Sequence, residues 1–140
     1  MLCYFTVIWS LNLVKVQQII LISLYFLFID AMWISFFAKG LYESHLTGML
    51  KVGDSIAFVF ALVAVYGLLL SGLFCFVLTK RRPVLLGALF GFIVYGVYGL
   101  TNWLVLSSWS NSMLFADWVW GACLYASSAY VAQLVGYRYE

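Results

Sequence analysis

The sequence predicts an all-α, membrane-embedded bundle of four helices in up-down-up-down order, on three observations. The 140 residues are 66% hydrophobic and only 9% charged, whereas soluble domains carry about 25% charged residues. The mean hydropathy of +1.08 indicates that lipid rather than water surrounds most of the chain. Short polar segments divide the chain into four continuous apolar runs, each long enough for a transmembrane helix.

The four apolar runs cover approximately residues 16–38, 55–78, 84–106 and 113–135. A run of about 23 residues forms a helix of about 35 Å, which crosses a hydrocarbon core of about 30 Å. The runs lack the alternation of polar and apolar residues that barrel strands show, and lipid requires a backbone whose hydrogen bonds are satisfied internally. Residues 16–135 are therefore predicted to form one four-helix transmembrane domain.

The distribution of basic residues predicts the orientation of the bundle. Five basic residues fall on one side and two on the other. The larger group is Lys15, Lys80, Arg81, Arg82 and Arg138, and the smaller is Lys39 and Lys51. Because basic residues favour the cytoplasmic side, both termini are predicted to be cytoplasmic, with residues 136–140 as a short tail.

Two segments outside the runs leave alternatives open. Residues 1–15 form an apolar N-terminal extension that is short for a span and has no signal-peptide features. This extension is an interfacial helix or a continuation of the first span. A third alternative is that translation starts near Lys15, so that these residues are not part of the protein. The first loop, residues 39–54, has amphipathic character. It is either an interfacial connector or a lid over a site at that face.

Neither a metal site nor a nucleic-acid partner is expected. Cys3, Cys75 and Cys123 form no Cys-x-x-Cys pair and are predicted to be packing residues. His45 is the single histidine, so metal ligands would have to come from scattered positions. A net charge of +2, spread along the chain, does not indicate nucleic-acid binding. No cofactor is predicted.

Two carboxylates inside predicted spans need an explanation, because each costs several kcal/mol in lipid unless it is paired, hydrated or protonated. Asp30 lies about 12 Å below the outer end of its helix, and Asp117 about 6 Å below its own. In the third span Tyr95, Tyr98 and Asn102 share one face, with Tyr98 and Asn102 at the same two depths. These helices therefore converge on one polar layer in the outer half.

Each carboxylate is followed three residues later by a tryptophan, which places an indole N–H donor on the same helical face. The candidate ligand-binding or functional cluster is Asp30, Trp33, Tyr95, Tyr98, Thr101, Asn102, Asp117 and Trp120. The layer is either a pocket reached from the outer leaflet or a set of hydrogen bonds that only stabilises the packing of the helices. Asp30 is the stronger functional candidate, because it is deeper and gains less from a helix terminus.

Small residues supply the predicted helix packing. Glycine lets the backbones of neighbouring membrane helices approach closely. The predicted packing positions are Gly87, Gly91, Gly96, Gly99 and Gly121, of which the first two have Gly-x-x-x-Gly spacing.

Four motifs taken together resemble a family of bacterial membrane proteins described as domain of unknown function 2177. They are Phe28-Ile29-Asp30-Ala31-Met32-Trp33, Gly40-Leu41-Tyr42 with His45-Leu46, Tyr95-Gly96-Val97-Tyr98-Gly99-Leu100-Thr101-Asn102, and Asp117-Trp118-Val119-Trp120-Gly121. The resemblance implies a four-helix protein of the cell inner membrane and implies no reaction. The family's third-span motif usually has an aspartate where Gly99 stands.

Three functions are compatible with these features. The first is binding or modification of a lipid or small molecule at the polar layer, with no catalytic nucleophile identified and enzyme status open. The second is a proton-coupled exporter of small molecules, because an acidic residue lies inside the first span. The third is a non-catalytic subunit of a larger membrane complex. Membrane lipid is the expected surrounding partner, and a homodimer or larger assembly is left open.

Overall fold

The computed structural model describes residues 2–45 and 55–137, which form helices and short connections. Five α-helices follow one another along this part of the chain: α1 (Leu2–Trp33), α2 (Lys39–His45), α3 (Ile56–Gly72), α4 (Pro83–Val105) and α5 (Asn111–Leu134). Two π-helical turns interrupt them. The first π segment (Ile34–Ala38) continues α1 into α2, and the second (Leu73–Val77) extends α3. A helical bundle is therefore confirmed.

The first helix continues beyond its predicted end. The apolar run ends at Ala38, but the Lys39 N–H bonds to the Ile34 carbonyl and the helix goes on to His45. An ion pair between Lys39 and Glu43, at 3.8 Å and i,i+4 spacing, supports this last stretch. At the other end α1 begins at Leu2 and enters the first span without a break. The rest of the predicted lid, residues 46–54, lies outside the described residues.

Serine and proline define where the later helices begin. Ser55 and Ser110 are the N-caps of α3 and α5, and each side-chain oxygen accepts a backbone N–H three residues on, at 3.2 Å. Pro83 occupies the first turn of α4, where its missing N–H leaves no bond unmade. Gly136, with φ of 72°, follows the end of α5.

Three helices in the described part of the chain are long and apolar enough to cross a membrane: Leu13–Glu43, Ile56–Val77 and Pro83–Val105. The 24 residues of α5 give a helix of about 36 Å, a sufficient length, but α5 is less apolar. Its burial accounts for this difference, because α5 packs against both α1 and α4 and so presents less surface to lipid.

Glycines bring α4 and α5 together in antiparallel order. A Cβ atom on Gly91 would lie 1.9 Å from the Gly121 carbonyl oxygen, and one on Gly87 would lie 2.7 Å from the Tyr125 carbonyl oxygen. Both distances are too short for any real Cβ, so two backbones are in direct contact here.

The same interface continues toward the start of α5. A Cβ on Gly96 would lie 2.4 Å from the Trp118 indole nitrogen, and one on Gly99 would lie 2.8 Å from Leu114 Cδ1. These contacts are with side chains rather than backbone. The interhelical gap therefore widens toward the start of α5, where large side chains fill it.

The other two long helices differ in how closely they approach this pair. Along α1, Phe26 packs edge-on against Tyr125, and Gln18 donates to the Val135 carbonyl at 2.8 Å. The second π segment, Leu73–Val77, contacts α4 and α5, whereas α3 itself makes few close backbone contacts with the other helices. The separation of α3 leaves space inside the bundle.

The two cysteines with described side chains are free and exposed at the bundle surface. The expectation that Cys75 and Cys123 pack inside the bundle is therefore wrong, because both lie on the outward faces of their helices. Apolar surroundings in the sequence of a membrane helix do not distinguish a lipid-facing position from a buried one. The side chain of Cys3 lies outside the described residues.

Candidate functional site

A cavity of about 440 Å³ lies between α3 and the other long helices. Its polar and aromatic wall consists of Asp30, Trp33, Tyr42, Tyr66, Tyr95, Tyr98, Asp117 and Trp120. Its apolar wall consists of Ile34, Ala38, Leu62, Val65, Leu69 and Val94. The cavity exists because the backbone of α3 stands away from the other helices along this stretch and comes close to them through the second π segment. Along α3 itself, side-chain hydrogen bonds bridge the gap, from Tyr66 to Asp30 and from Tyr125 to the Leu69 carbonyl, each at 2.9 Å.

Asp30 is held in the cavity wall by two neutral donors from two other helices. The side chain is 5% exposed. The Tyr66 hydroxyl, on α3, donates to Oδ2 at 2.9 Å, and the Trp120 indole N–H, on α5, donates to Oδ1 at 2.8 Å. One carboxylate thus connects α1, α3 and α5.

Asp117 is equally buried, at 5% exposed, and has a different donor. The Tyr42 hydroxyl, on α2, donates to its Oδ2 atom. Trp33 lies beside Asp117, and its indole nitrogen is buried without a hydrogen-bond partner among the described residues. The two carboxylates therefore belong to separate hydrogen-bonded groups on one cavity wall.

The tryptophans associate across the helix interface. The rings of Trp33 and Trp120 stack at 4.6 Å between centroids with an interplanar angle of 5°. Because of this stack, the α5 indole reaches the α1 carboxylate Asp30 rather than Asp117 of its own helix. Sequence spacing placed Trp120 on the face of Asp117, whereas the hydrogen bond observed joins Trp120 to Asp30 of another helix.

The first π segment determines which way Tyr42 points. Tyr42 follows Asp30 by twelve residues. In a regular α-helix this spacing would place the two side chains about 120° apart around the helix axis. A π turn absorbs about one extra residue, so the angle falls to about 20°. Ile34–Ala38 therefore rotates Tyr42 onto the face of Asp30, where it reaches Asp117.

The α4 residues of the predicted cluster divide into two groups. Tyr95 and Tyr98 line the cavity, and Gly121 makes room for the Tyr95 ring, since a Cβ there would lie 2.2 Å from it. Thr101 is exposed and Asn102 lies next to Tyr98, and neither lines the cavity.

The indole of Trp109 packs against two tyrosines of the cavity wall. It lies in the short connection between α4 and α5 and is buried. Its ring contacts Tyr42 at 5.4 Å and Tyr98 at 5.8 Å between centroids. Trp109 therefore packs behind two of the cavity tyrosines and helps to fix their positions.

Two tyrosines of the wall, Tyr42 and Tyr66, are not in the cluster that the sequence predicts. Tyr66 is the one tyrosine in the predicted second span, and its position near mid-helix was a usable signal that it reaches the same layer. Tyr42 was assigned to the loop, and nothing in its spacing from Asp30 shows the π turn that turns it inward. Both donate to a carboxylate of the cluster.

The chemistry of the wall is acidic and aromatic. The described residues that line the cavity include no lysine, arginine or histidine. The part of the chain that the structure describes contains no group of three or more His, Cys, Asp or Glu side chains placed to hold a metal ion. The arrangement is suited to holding a molecule whose head lies near the carboxylates and whose apolar part lies along α3.

A comparison with protein-family models gives one match, described as "Predicted membrane protein (DUF2177)", over residues 15–134. The match confirms the resemblance drawn from the four motifs. Neither the curated proteins nor the solved structures that were compared with the chain give a match.

Proposed function

This chain belongs to the predicted membrane protein family DUF2177, and from that premise we propose that its cavity binds the polar head of a lipid or of a small amphiphilic molecule. The observation that carries the proposal is the pairing of two buried carboxylates with an open space. Both Asp30 and Asp117 line a cavity of about 440 Å³, within the range of about 300–1,000 Å³ that small-molecule sites occupy.

The alternative explanation is that the polar layer only stabilises helix packing through hydrogen bonds. It accounts for the hydrogen bonds but not for the cavity beside them. Where α4 and α5 simply pack, Gly91 and Gly121 bring the backbones into contact. Around Asp30 the backbone of α3 instead stays away from the other helices, and three aromatic side chains from α2, α3 and α5 donate to the two carboxylates across this space. Buried acidic groups that line a cavity in a membrane helix bundle are typical of functional sites.

Lipid can reach the cavity from the side. Leu62 is 47% exposed and Val65 is 52% exposed, although both line the wall on α3. Tyr98, across the cavity on α4, is 51% exposed. An amphiphile could therefore place its chain among membrane lipids while its head enters between α3 and α4.

The charge distribution supports access from the outer leaflet of an inner membrane. The site lies toward the end at which α3 and α5 begin, whereas Arg81 and Arg82 lie at the opposite end, before α4. The excess of basic residues at that opposite end favours its placement in the cytoplasm. The cavity would then face the outer half of the bilayer, with both termini cytoplasmic.

Native mass spectrometry of the protein released from a mild detergent tests the proposal. Wild type should retain a bound small molecule, and Val65→Trp, which fills the cavity from its α3 wall, should release it. Leu68→Trp is the matched control, because Leu68 is exposed on the same helix and does not line the cavity. A wild-type particle without ligand, or equal retention in Val65→Trp, would contradict the proposal.

A second candidate, proton-coupled export, is favoured by the neutrality of the donors to Asp30. Tyr66 and Trp120 donate hydrogen bonds without forming an ion pair, so the charge of this carboxylate is not fixed by a neighbouring cation. In liposomes with a pH gradient, wild type should accumulate an amphiphilic amine and Asp30→Asn should not. Uptake equal to that of protein-free liposomes would exclude export.

A further inference from the structure

We infer that the cavity selects a cationic head, either an amine or a quaternary ammonium group, carried on an alkyl chain. This inference rests on the proposed function and names the class of its ligand. It follows from the charge of the wall, from the aromatic rings and from the distribution of apolar residues around the cavity.

The carboxylates supply the charge. Asp30 and Asp117 are both 95% or more removed from solvent, and the hydrogen bonds that reach them come from neutral hydroxyl and indole groups. No basic side chain is among the described residues that line the cavity. A cation bound beside them would complete the charge balance that a carboxylate in lipid requires.

The aromatic rings supply the second attraction. Six rings line the same space: Trp33, Tyr42, Tyr66, Tyr95, Tyr98 and Trp120. Tryptophan and tyrosine rings attract a cation over their faces within about 6 Å, and sets of such rings recognise quaternary ammonium groups. The tyrosines come from α2, α3 and α4 and therefore surround the cavity rather than lying along one side of it.

An anionic head fits this wall poorly. It would meet two carboxylates, and three donors of the wall, those of Tyr42, Tyr66 and Trp120, already point at those carboxylates. Trp33 offers one indole N–H without a partner in the described structure, but this neutral donor lies beside Asp117. One neutral N–H does not offset repulsion from two buried carboxylates.

The alkyl chain would follow the α3 side of the cavity. Leu62, Val65 and Leu69 are spaced by three and four residues and form an apolar stripe on one face of α3. Leu62 and Val65 are open to lipid, whereas Leu69 is partly buried deeper in the bundle. This stripe gives the alkyl chain of the ligand a continuous apolar surface from the cavity to the membrane.

A matched pair of probes tests the inference. Dodecyltrimethylammonium carries the cation, and its isostere with a tert-butyl group in place of the trimethylammonium has the same shape without charge. Each is titrated calorimetrically into the protein in maltoside micelles. We expect wild type to bind the cation about tenfold or more tightly than the isostere, and dodecyl sulfate more weakly than either.

Variants locate the preference. Asp30→Asn and Asp117→Asn should each reduce the cation preference to about threefold or less, while leaving the isostere's affinity nearly unchanged. Glu43→Gln removes an exposed acidic group outside the cavity wall and should keep the wild-type preference. Asp30→Glu keeps the charge and should keep most of the preference, which separates loss of charge from loss of structure.

The outcomes distinguish this inference from the proposed function. If wild type binds both probes equally and Val65→Trp binds neither, the cavity holds amphiphiles but does not select cations, and the inference fails alone. If wild type binds neither probe, both proposals fail. If the cation preference persists in both asparagine variants, the charge selectivity does not come from these carboxylates and the inference is overturned.

Discussion

The indole N–H of Trp120 donates to Oδ1 of Asp30 at 2.8 Å, between residues 90 positions apart in the chain. This bond connects the first and last long helices within a membrane-spanning bundle. It also holds the carboxylate at the cavity wall, because the Tyr66 hydroxyl occupies the other oxygen at 2.9 Å. Asp30 is therefore both a structural junction and part of the proposed binding surface.

Removing the indole donor should lower the stability of the bundle. Trp120→Phe keeps an aromatic ring against Trp33 but leaves Asp30 with one donor. We expect a loss of about 0.5–2 kcal/mol, the scale of interhelical hydrogen bonds in membranes and of bonds to charged groups. The free energy of unfolding in mixed micelles measures it.

Trp118→Phe is the matched control for that substitution. It removes the same volume, but the Trp118 indole nitrogen has no hydrogen-bond partner among the described residues. Trp118→Phe should therefore lower the free energy of unfolding by less than Trp120→Phe does. A larger loss in Trp118→Phe would show that ring volume, rather than the bond to Asp30, determines the effect.

The tightest contact between α4 and α5 should not tolerate a methyl group. In Gly91→Ala the new Cβ would lie 1.9 Å from the Gly121 carbonyl oxygen, and backbone atoms cannot move aside cheaply. We expect a destabilisation of about 1–3 kcal/mol or more, as for other overpacked interfaces. Thermal unfolding of the detergent-solubilised protein measures the change.

Gly67→Ala provides the corresponding control on α3. A Cβ at Gly67 meets nothing within 4 Å, so only the intrinsic helix preference changes, by up to about 1 kcal/mol in favour of alanine. The melting temperature should stay level or rise. Equal destabilisation in both variants would mean that the α4–α5 contact is not the cause.

A single-residue deletion should be tolerated within the first π segment. Deleting exposed Phe36 lets Ile34–Ala38 become regular α-helix and leaves Tyr42 about 20° from Asp30, as it is now. Deleting Phe28, which is also exposed but lies within regular helix, instead rotates the preceding part of α1 by about 100° relative to Asp30.

We therefore expect near wild-type melting and cation binding after deletion of Phe36, and loss of both after deletion of Phe28. Both measurements use the same micelles, so the two deletions can be compared directly. Equal damage from the two deletions would show that the π turn does not set the direction of Tyr42.

Gly99 occupies a position from which a side chain would point at α5 rather than into the cavity. A Cβ there would lie 2.8 Å from Leu114 Cδ1, the end of a side chain that can shift. Gly99→Ala should destabilise the wild-type chain by about 1 kcal/mol, and the same substitution should cost less in a chain that already carries Leu114→Ala. An equal cost of Gly99→Ala in the two backgrounds would indicate that another contact limits this position.

Helix positions followed from the sequence because apolar runs and their breaks depend only on local composition. Ser55, Pro83 and Ser110 begin α3, α4 and α5 within a few residues of the predicted runs. The first helix was predicted to end at Ala38 because Lys39 and Gly40 resemble a boundary. It continues because the backbone hydrogen bond from Lys39 to Ile34 and the ion pair to Glu43 extend it.

Depth along each helix predicted which residues lie at one level, and the structure places Asp30, Asp117, Tyr95 and Tyr98 in one cavity wall. Depth does not predict rotation or lateral spacing. Thr101 lies at a suitable depth but faces outward. The separation of α3 from the bundle, which creates the cavity, has no signature in a single sequence, because it depends on how four helices pack together.

The presence of a ligand in the cavity is tested most directly by anomalous diffraction from crystals grown in a lipidic mesophase and soaked with an alkyltrimethylammonium compound brominated near its head. The predicted result is a bromine peak inside the cavity, between Asp30 and the α3 stripe formed by Leu62, Val65 and Leu69. Bromine peaks confined to the outer surface of the bundle, with α3 closed against α4, would contradict it.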